Sequence, residues 1–405
     1  MKLLPELIDK GAHKEFVRFL KNTGRTNWEE KIKKLNSLPR LRAPSPNIHL
    51  EYLANRNPLA KHIETYLTLE REGKLLRKHA TLELMKTCGA LKVINEIWRG
   101  SDRGVRDKLQ SIVFDDDTAR AFMFDLDIAI HFLRGGYDVQ FVDLQGVETF
   151  DLLVSDGQME CEIECKTKSA DAGRKITRSN FALLCDVLSS DLVPLTESIA
   201  VLFKCDGRLS GSQELFHAVA TELRKCRIAL QDSGHLDSLH FEIRTLPVGL
   251  QIRTHEEAAK ALAPHWTPDA HYFVLSNAET LIIGCESTNK NRVLKAIYED
   301  LKHGAGQLSK TRPSMLACQL EDIQDEDWTL FQGETGLAAM SARLLESSER
   351  RHVNFVVYSS DKTPPKKEGV VTSFSAKTLT FENSEPKYSF PKSFLSGRQE
   401  VRIQR

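Results

Sequence analysis

The residues best suited to chemistry are concentrated in positions 149–168, which read TFDLLVSDGQMECEIECKTK. Asp156-Gly157 is a two-residue turn signal for a β-hairpin. With those two residues as the turn, Ser155 faces Gln158, Val154 faces Met159, Leu152 faces Cys161 and Phe150 faces Ile163. One face of the hairpin is then wholly apolar, and a one-residue slip would mix the two faces. The other face carries Asp151, Glu160, Glu162, Glu164 and Lys166. In this register Asp151 lies opposite Glu162 and diagonal to Glu164, where side chains are ~7–8 Å apart and two carboxylates can converge on one ion. Carboxylate oxygens suit hard cations such as magnesium, and the Lys166 amine points the same way. Such a group matches the needs of phosphodiester hydrolysis. A bound metal lowers the pKa of water and polarises a phosphoryl oxygen. An ammonium beside it can orient the water or stabilise developing charge.

The surrounding chain supplies the elements that must hold this hairpin. Residues 1 to about 115 read as helical, with apolar residues at helical spacing in runs such as Ile63–Leu69 and Leu91–Trp98. Pro39 to Pro46 reads as a loop, and Arg99–Gly104 as a second break. Asp117-Thr118 suggests a cap for a helix through Phe122, Leu126, Ile130 and Leu133, ended by Gly135-Gly136. Asp115-Asp116-Asp117 is expected to serve as a capping cluster. Tyr137–Val142 alternates like a strand, the hairpin follows, and helices and strands continue to alternate to about residue 360. That alternation argues for an α/β class. The expected organisation is a helical region (1–115), an α/β domain (116–360) and a polar tail or small hairpin (361–405).

A helix, a strand, then Phe-Asp-Leu-Leu-Val and Glu-Ile-Glu-Cys-Lys on a hairpin resembles the PD-(D/E)xK nuclease superfamily, the restriction-endonuclease-like proteins. The resemblance covers roughly residues 118–190, with weaker support to about 320. It implies a mixed sheet flanked by helices and a Mg²⁺- or Mn²⁺-dependent endonuclease acting on nucleic acid, DNA favoured over RNA. It also implies Asp151 and Glu164 as metal ligands, Lys166 as the catalytic lysine, and the main-chain carbonyl of Cys165 as a further ligand. The family often places an acid on the preceding helix. Asp127 is the first choice here and Asp125 the second. No proline precedes Asp151, and aspartate replaces the commoner glutamate on that helix. Glu162 reads as a spectator. Lys168, Arg174, Lys175 and Arg178 adjoin the hairpin and are expected to contact phosphates. Gln307 is a weaker candidate, from a late helix.

Other functional classes find less support. Lys plus Arg and Asp plus Glu both number 56, so nucleic-acid affinity must come from a local patch. The eight cysteines form no CxxC pair and read as buried thiols of a reducing cytosol. No Walker-type phosphate loop and no GxSxG elbow occur. The start of the chain is too charged for a signal peptide, no run of 18 apolar residues is present, and a soluble cytoplasmic protein is expected. A role in prokaryotic defence follows by analogy of fold. The helical region is a place for a partner protein or a homodimer contact. The competing reading is a nuclease fold that binds nucleic acid or a partner without cutting.

Overall fold

A computed structural model describes residues 11–38, 47–54, 56–74, 79, 81–169, 171–193, 195–247, 257, 270–276, 279–321, 336–360, 377–390 and 393–396. The loop expected at Pro39–Pro46 lies outside the described residues. In chain order the helices are α1 (Gly11–Thr23), α2 (Arg25–Asn36), α3 (Ile48–Ala54), α4 (Pro58–Arg71), α5 (Leu82–Gly100), α6 (Arg103–Phe114), α7 (Asp116–Arg134), α8 (Arg178–Leu192), α9 (Gln213–Ile228), α10 (Val293–Gln307), α11 (Leu337–Leu345) and α12 (Ser393–Ser396). The strands are β1 (Asp138–Phe141), β2 (Leu152–Ser155), β3 (Glu160–Ser169), β4 (Ile199–Cys205), β5 (Ser233–Leu236), β6 (Leu239–Thr245), β7 (His271–Ser276), β8 (Thr280–Ser287), β9 (Ser314–Glu321), β10 (Val353–Ser360) and β11 (Lys377–Glu382). The class is mixed α/β, and among the described residues no helix is long and apolar enough to cross a membrane.

Two compact units form. The first joins residues 1–37, 55–170 and 294–405, and the second joins 38–54 and 171–293. The first holds a six-stranded mixed sheet in the order β1-β2-β3-β9-β10-β11. Strands β3, β9 and β10 are parallel, and the outer pairs are antiparallel. The second unit is inserted between β3 and α10. Its sheet, β5-β6-β4-β8-β7, has its own core, in which Val201, Phe203, Leu281 and Ile283 pack with Leu184 and Leu188 of α8 and Phe216 and Leu223 of α9. Helix α3 belongs to this unit. The buried Asp186 carboxylate accepts from the Ile48 and His49 amides at 2.9 and 2.8 Å, satisfying donors that a helix start leaves open.

The units cut the chain differently from a boundary at residue 115. Phe16, Phe19, Trp28, Ile63, Leu91 and Leu109 belong to the same buried cluster as Leu126, Leu152, Ile163, Met315 and Phe355. The apolar faces of these amphipathic helices close the core of the sheet. Trp28 is fully buried, stacked on Phe114 at 4.3 Å, and donates Nε1–H to the Thr23 hydroxyl at 2.8 Å. In the C-terminal region Leu379-Thr380-Phe381 is part of β11, whose Leu379 pairs with Tyr358 and Phe381 with Val356. An open edge of β10 would leave its backbone groups unpaired, and β11 satisfies them. Phe390 and Phe394 then pack into the common core.

Helix α7 starts one turn signal earlier than Asp117-Thr118 suggests. Asp115 is the N-cap, its Oδ1 accepting from the Thr118 amide at 2.9 Å. Asp116 pairs with Lys31 and Asp117 with Arg56, so this acidic run is capped and paired. All eight cysteines are buried free thiols.

Because the helices and the sheet share one core, Trp28→Ala is expected to destabilise the sheet and helices together by ~3–5 kcal/mol. Urea unfolding followed by far-UV and near-UV circular dichroism checks this. Loss of the helical signal alone, with the sheet unfolding at its original midpoint, would contradict the shared core.

Candidate metal centre

The β2–β3 hairpin forms, but its register differs by two residues from the one drawn for a two-residue turn. Leu152 pairs with Ile163, Val154 with Cys161 and Ser155 with Glu160. The turn has four residues, with Asp156 Oδ1 accepting from the amides of Gln158 and Met159 at 2.9 Å each. A shift of two keeps every side chain on its face, because the strand period is two. Phe150, Leu152, Val154, Cys161 and Ile163 are accordingly all fully buried. The shift does change the opposite partners. Continued by one residue, the observed pairing brings Asp151 level with Glu164 rather than Glu162, and the Cys165 amide donates to Asp151 Oδ2 at 2.7 Å.

The acid contributed by the preceding helix is Asp125, not Asp127. Two positions on an α-helix point ~200° apart, so only one of them can face the hairpin. Asp127 is exposed and lines a cavity with Lys86, Phe124 and His131. A carboxylate oxygen of Asp125, one of Asp151 and the Sγ of Cys165 all lie within 4.8 Å of one another. The position was legible in the helix period, since Asp125 follows the buried Phe122 by three residues and precedes the buried Ala129 by four. The Cys165 amide and thiol are both turned to the acids.

Glu164 and Lys166 form an ion pair. Lys166 Nζ also donates to Gln307 Oε1 at 2.7 Å, and Gln307 Nε2 donates to the Thr149 carbonyl at 3.1 Å. Gln307, the last residue of α10, thus ties the lysine to the chain just before Asp151. Gly304 lies one turn earlier. A Cβ there would stand 3.0 Å from Lys166 Cε and 3.1 Å from Glu164 Cγ, so a larger residue would make these two side chains give by a few tenths of an ångström. A further acid, Asp143, lines a cavity of about 180 Å³ together with Asp125, Asp151, Phe122 and Phe141. Lys108 Nζ bonds its carbonyl at 2.9 Å and its carboxylate at 3.3 Å. No periodic signal marked Asp143, because it sits in a loop.

Burial pushes the Asp125 carboxyl well above the usual carboxylate range, and the charges of Asp151 and Glu164 push the same way. Burial also raises Asp151, opposed by the Cys165 amide and Lys166. Glu164 is pushed up to about 8, first by burial and then by Asp151, against the pull of Lys166. Burial raises the Cys165 thiol too, which keeps it protonated and a poor ligand. Three acids therefore share one ammonium, and the buried Glu164 Oε2 has no hydrogen-bond donor. This donor set and its missing positive charge fit a hard divalent cation held by carboxylate oxygens.

Glu162 provides the contrast. It is fully buried, yet it accepts from the Ser309 amide at 2.8 Å, from the Ser309 hydroxyl and from Arg312 Nη1 at 3.1 Å. It anchors the loop after α10 and is a spectator to the cluster.

The expected phosphate contacts are placed differently from a continuous basic segment. Lys168 belongs to the first unit and is ion-paired with Asp300. Arg174, Lys175 and Arg178 belong to the second. Arg174, expected to contact phosphates, is buried. The Lys175 amide bonds Asn291 Oδ1 at 2.9 Å, and the Arg178 amide, opening α8, bonds Asp171 Oδ2 at 2.8 Å. No family model, no curated protein and no solved structure matches the chain.

Two outcomes follow from this geometry. With its pKa raised, Glu164 adds stability in its neutral form below the ordinary carboxylate pKa, and that contribution is lost as pH rises through about 8. The metal-free protein is therefore expected to lose a few °C of Tm between pH 6 and 9, given ~2–4 °C per kcal/mol. Mg²⁺ should restore it and Glu164→Gln should flatten the profile. Differential scanning fluorimetry in EDTA and in Mg²⁺ reads this, and a flat profile for the unmodified protein would contradict the charge imbalance. Gly304→Ala should leave Tm unchanged or higher, since alanine favours a helix by ~1 kcal/mol, while weakening the Mg²⁺-induced Tm shift.

Proposed function

We propose that the chain is a divalent-metal-dependent nuclease with a restriction-endonuclease-like first unit, hydrolysing phosphodiester bonds with DNA as the favoured substrate. One observation carries the reading. A carboxylate oxygen of Asp125, one of Asp151 and the Cys165 Sγ lie within 4.8 Å of one another, while Glu164, level with Asp151 across the hairpin, is paired with Lys166 and keeps one buried oxygen without a donor. Support also comes from the order of elements, α7 then β1, β2 and β3, which puts the acids on a helix and a hairpin of one mixed sheet.

Asp125, Asp151 and Glu164 would hold Mg²⁺ or Mn²⁺, which supplies an activated water and relief of phosphate charge when bound. Lys166 holds a positive charge at Nζ beside the cluster, where it can orient a water or stabilise developing negative charge. Gln307 acts through Lys166, fixing the ammonium by one hydrogen bond and bracing itself on Thr149 by another. Partial burial of the cluster weakens the screening of these charges by bulk water. The cavity lined by Asp125, Asp143 and Asp151 opens on the acids from the α7 side.

The test is cleavage of plasmid DNA, linear DNA and RNA in Mg²⁺, Mn²⁺ or EDTA. The expected result is metal-dependent cleavage that falls by about 100-fold or more in Glu164→Gln, Lys166→Ala and Asp125→Asn, the scale of losing an electrostatic or acid–base group. Asp127→Asn should cut normally. Nucleic-acid binding that persists with no cleavage in any metal would favour the non-cutting reading instead. Equal activity of wild type and Glu164→Gln would remove the proposal.

A further inference from the structure

A nuclease also needs a surface that holds the polyanionic strand on either side of the cut. The cations that follow the hairpin in sequence are poor candidates, since Lys168 is paired with Asp300 and Arg174 is buried. A different group of cations lies in three loops of the first unit, at the end of the sheet where β9 and β10 begin. Lys310, Arg351 and Lys387 are exposed, and no carboxylate among the described residues lies within ion-pair distance of them. Glu349 and Glu385 share these loops without pairing to the three.

The loops are fixed to one another by main-chain atoms. The Lys387 amide donates to the Arg351 carbonyl at 2.6 Å, and Arg351 Nε donates to the Glu385 carbonyl at 3.0 Å. The Lys310 carbonyl accepts from the Tyr388 hydroxyl at 2.9 Å and from Lys387 Nζ at 3.3 Å. Lys387 also sits over the Tyr388 ring, 4.8 Å from its centroid. Each cation keeps donors to spare, because a guanidinium has five N–H groups and an ammonium three. Lys310 has a φ of 65°, a conformation unfavourable for lysine. The carbonyl bonds hold it there and keep the side chain on the surface.

The group adjoins the metal centre. Lys310 follows Gln307 by three residues, a span of at most ~11 Å, and Gln307 accepts from Lys166 at 2.7 Å. Charges recur every ~3.4 Å of axis along one strand of a duplex. A backbone leaving the centre therefore meets this surface within a few nucleotides. The Arg351 and Lys387 side chains, already held by these bonds, bind phosphates with less loss of side-chain entropy.

We infer that Lys310, Arg351 and Lys387, steadied by Tyr388, are the track that binds the phosphodiester backbone of the nucleic acid beside the metal centre. This rests on the nuclease reading, and the test separates the two. Fluorescein-labelled duplex DNA, with single-stranded DNA and RNA of the same sequence as parallel probes, is titrated with the full-length protein in EDTA at several salt concentrations, and binding is followed by anisotropy. Neutralising all three cations (Lys310→Gln, Arg351→Gln, Lys387→Gln) should weaken binding of the preferred probe at least tenfold. It should also lower the slope of log K against log salt by about one per lost phosphate contact. Lys310→Gly removes one charge and suits the observed φ. It should weaken binding with no loss of Tm, which excludes misfolding as the cause. The Mg²⁺-induced Tm shift should survive in every variant. Unchanged affinity and slope in the triple variant, with metal-dependent cleavage intact in the wild type, overturn the track alone. A wild type that binds none of the three probes overturns the track together with the nuclease reading.

Discussion

The first unit is organised around a charge imbalance in its interior. The half-buried Asp125 and Asp151 and the buried Glu164 have the single Lys166 ammonium, paired with Glu164, as their nearby cation, and all three carboxyls are driven toward the neutral form. Burying like charges in a medium of low dielectric is costly unless a counter-charge is supplied. The surrounding elements maintain the arrangement. Helix α7 delivers Asp125, the observed hairpin register sets Asp151 level with Glu164, and α10 closes over the pair through Gly304 and Gln307.

Two glutamates on β3 show how selective that arrangement is. Glu162 and Glu164 share a strand and a face, and both are buried. Glu162 has Ser309 and Arg312 as partners, which satisfy its oxygens as a buried carboxylate requires. Glu164 keeps one oxygen without a donor. The fold therefore had donors to offer on this face and left one carboxylate short of them, at the point where the other acids converge.

The rest of the unit is scaffold for that convergence. The N-terminal helices bury their apolar faces against the sheet, so that α7 is held between them and β3. The chain leaves the sheet at the end of β3, builds the second unit with its own core, and comes back as α10. The clamp on Lys166 is thus made by a segment that returns only after a whole inserted fold. Its position depends on parallel pairing of β9 to β3, which aligns Leu316 with Glu164 and Cys318 with Lys166.

Some of this was already decided by local pattern. Alternation along residues 150–164 separates apolar from acidic positions whatever the turn, so the faces survived a two-residue error in register. The helix period sets Asp125 on the same side as Phe122 and Ala129. The turn, by contrast, depended on the Asp156 side chain bonding two amides, which a dipeptide signal does not reveal. The division of the strands between two sheets, the use of residues 377–382 as an edge strand, and the pairing of Lys166 with Gln307 across 141 positions were left to the tertiary structure. Periodicity records which way a side chain points along its own element. Which distant element meets it there is set by the packing of the whole core, and no single segment contains that information.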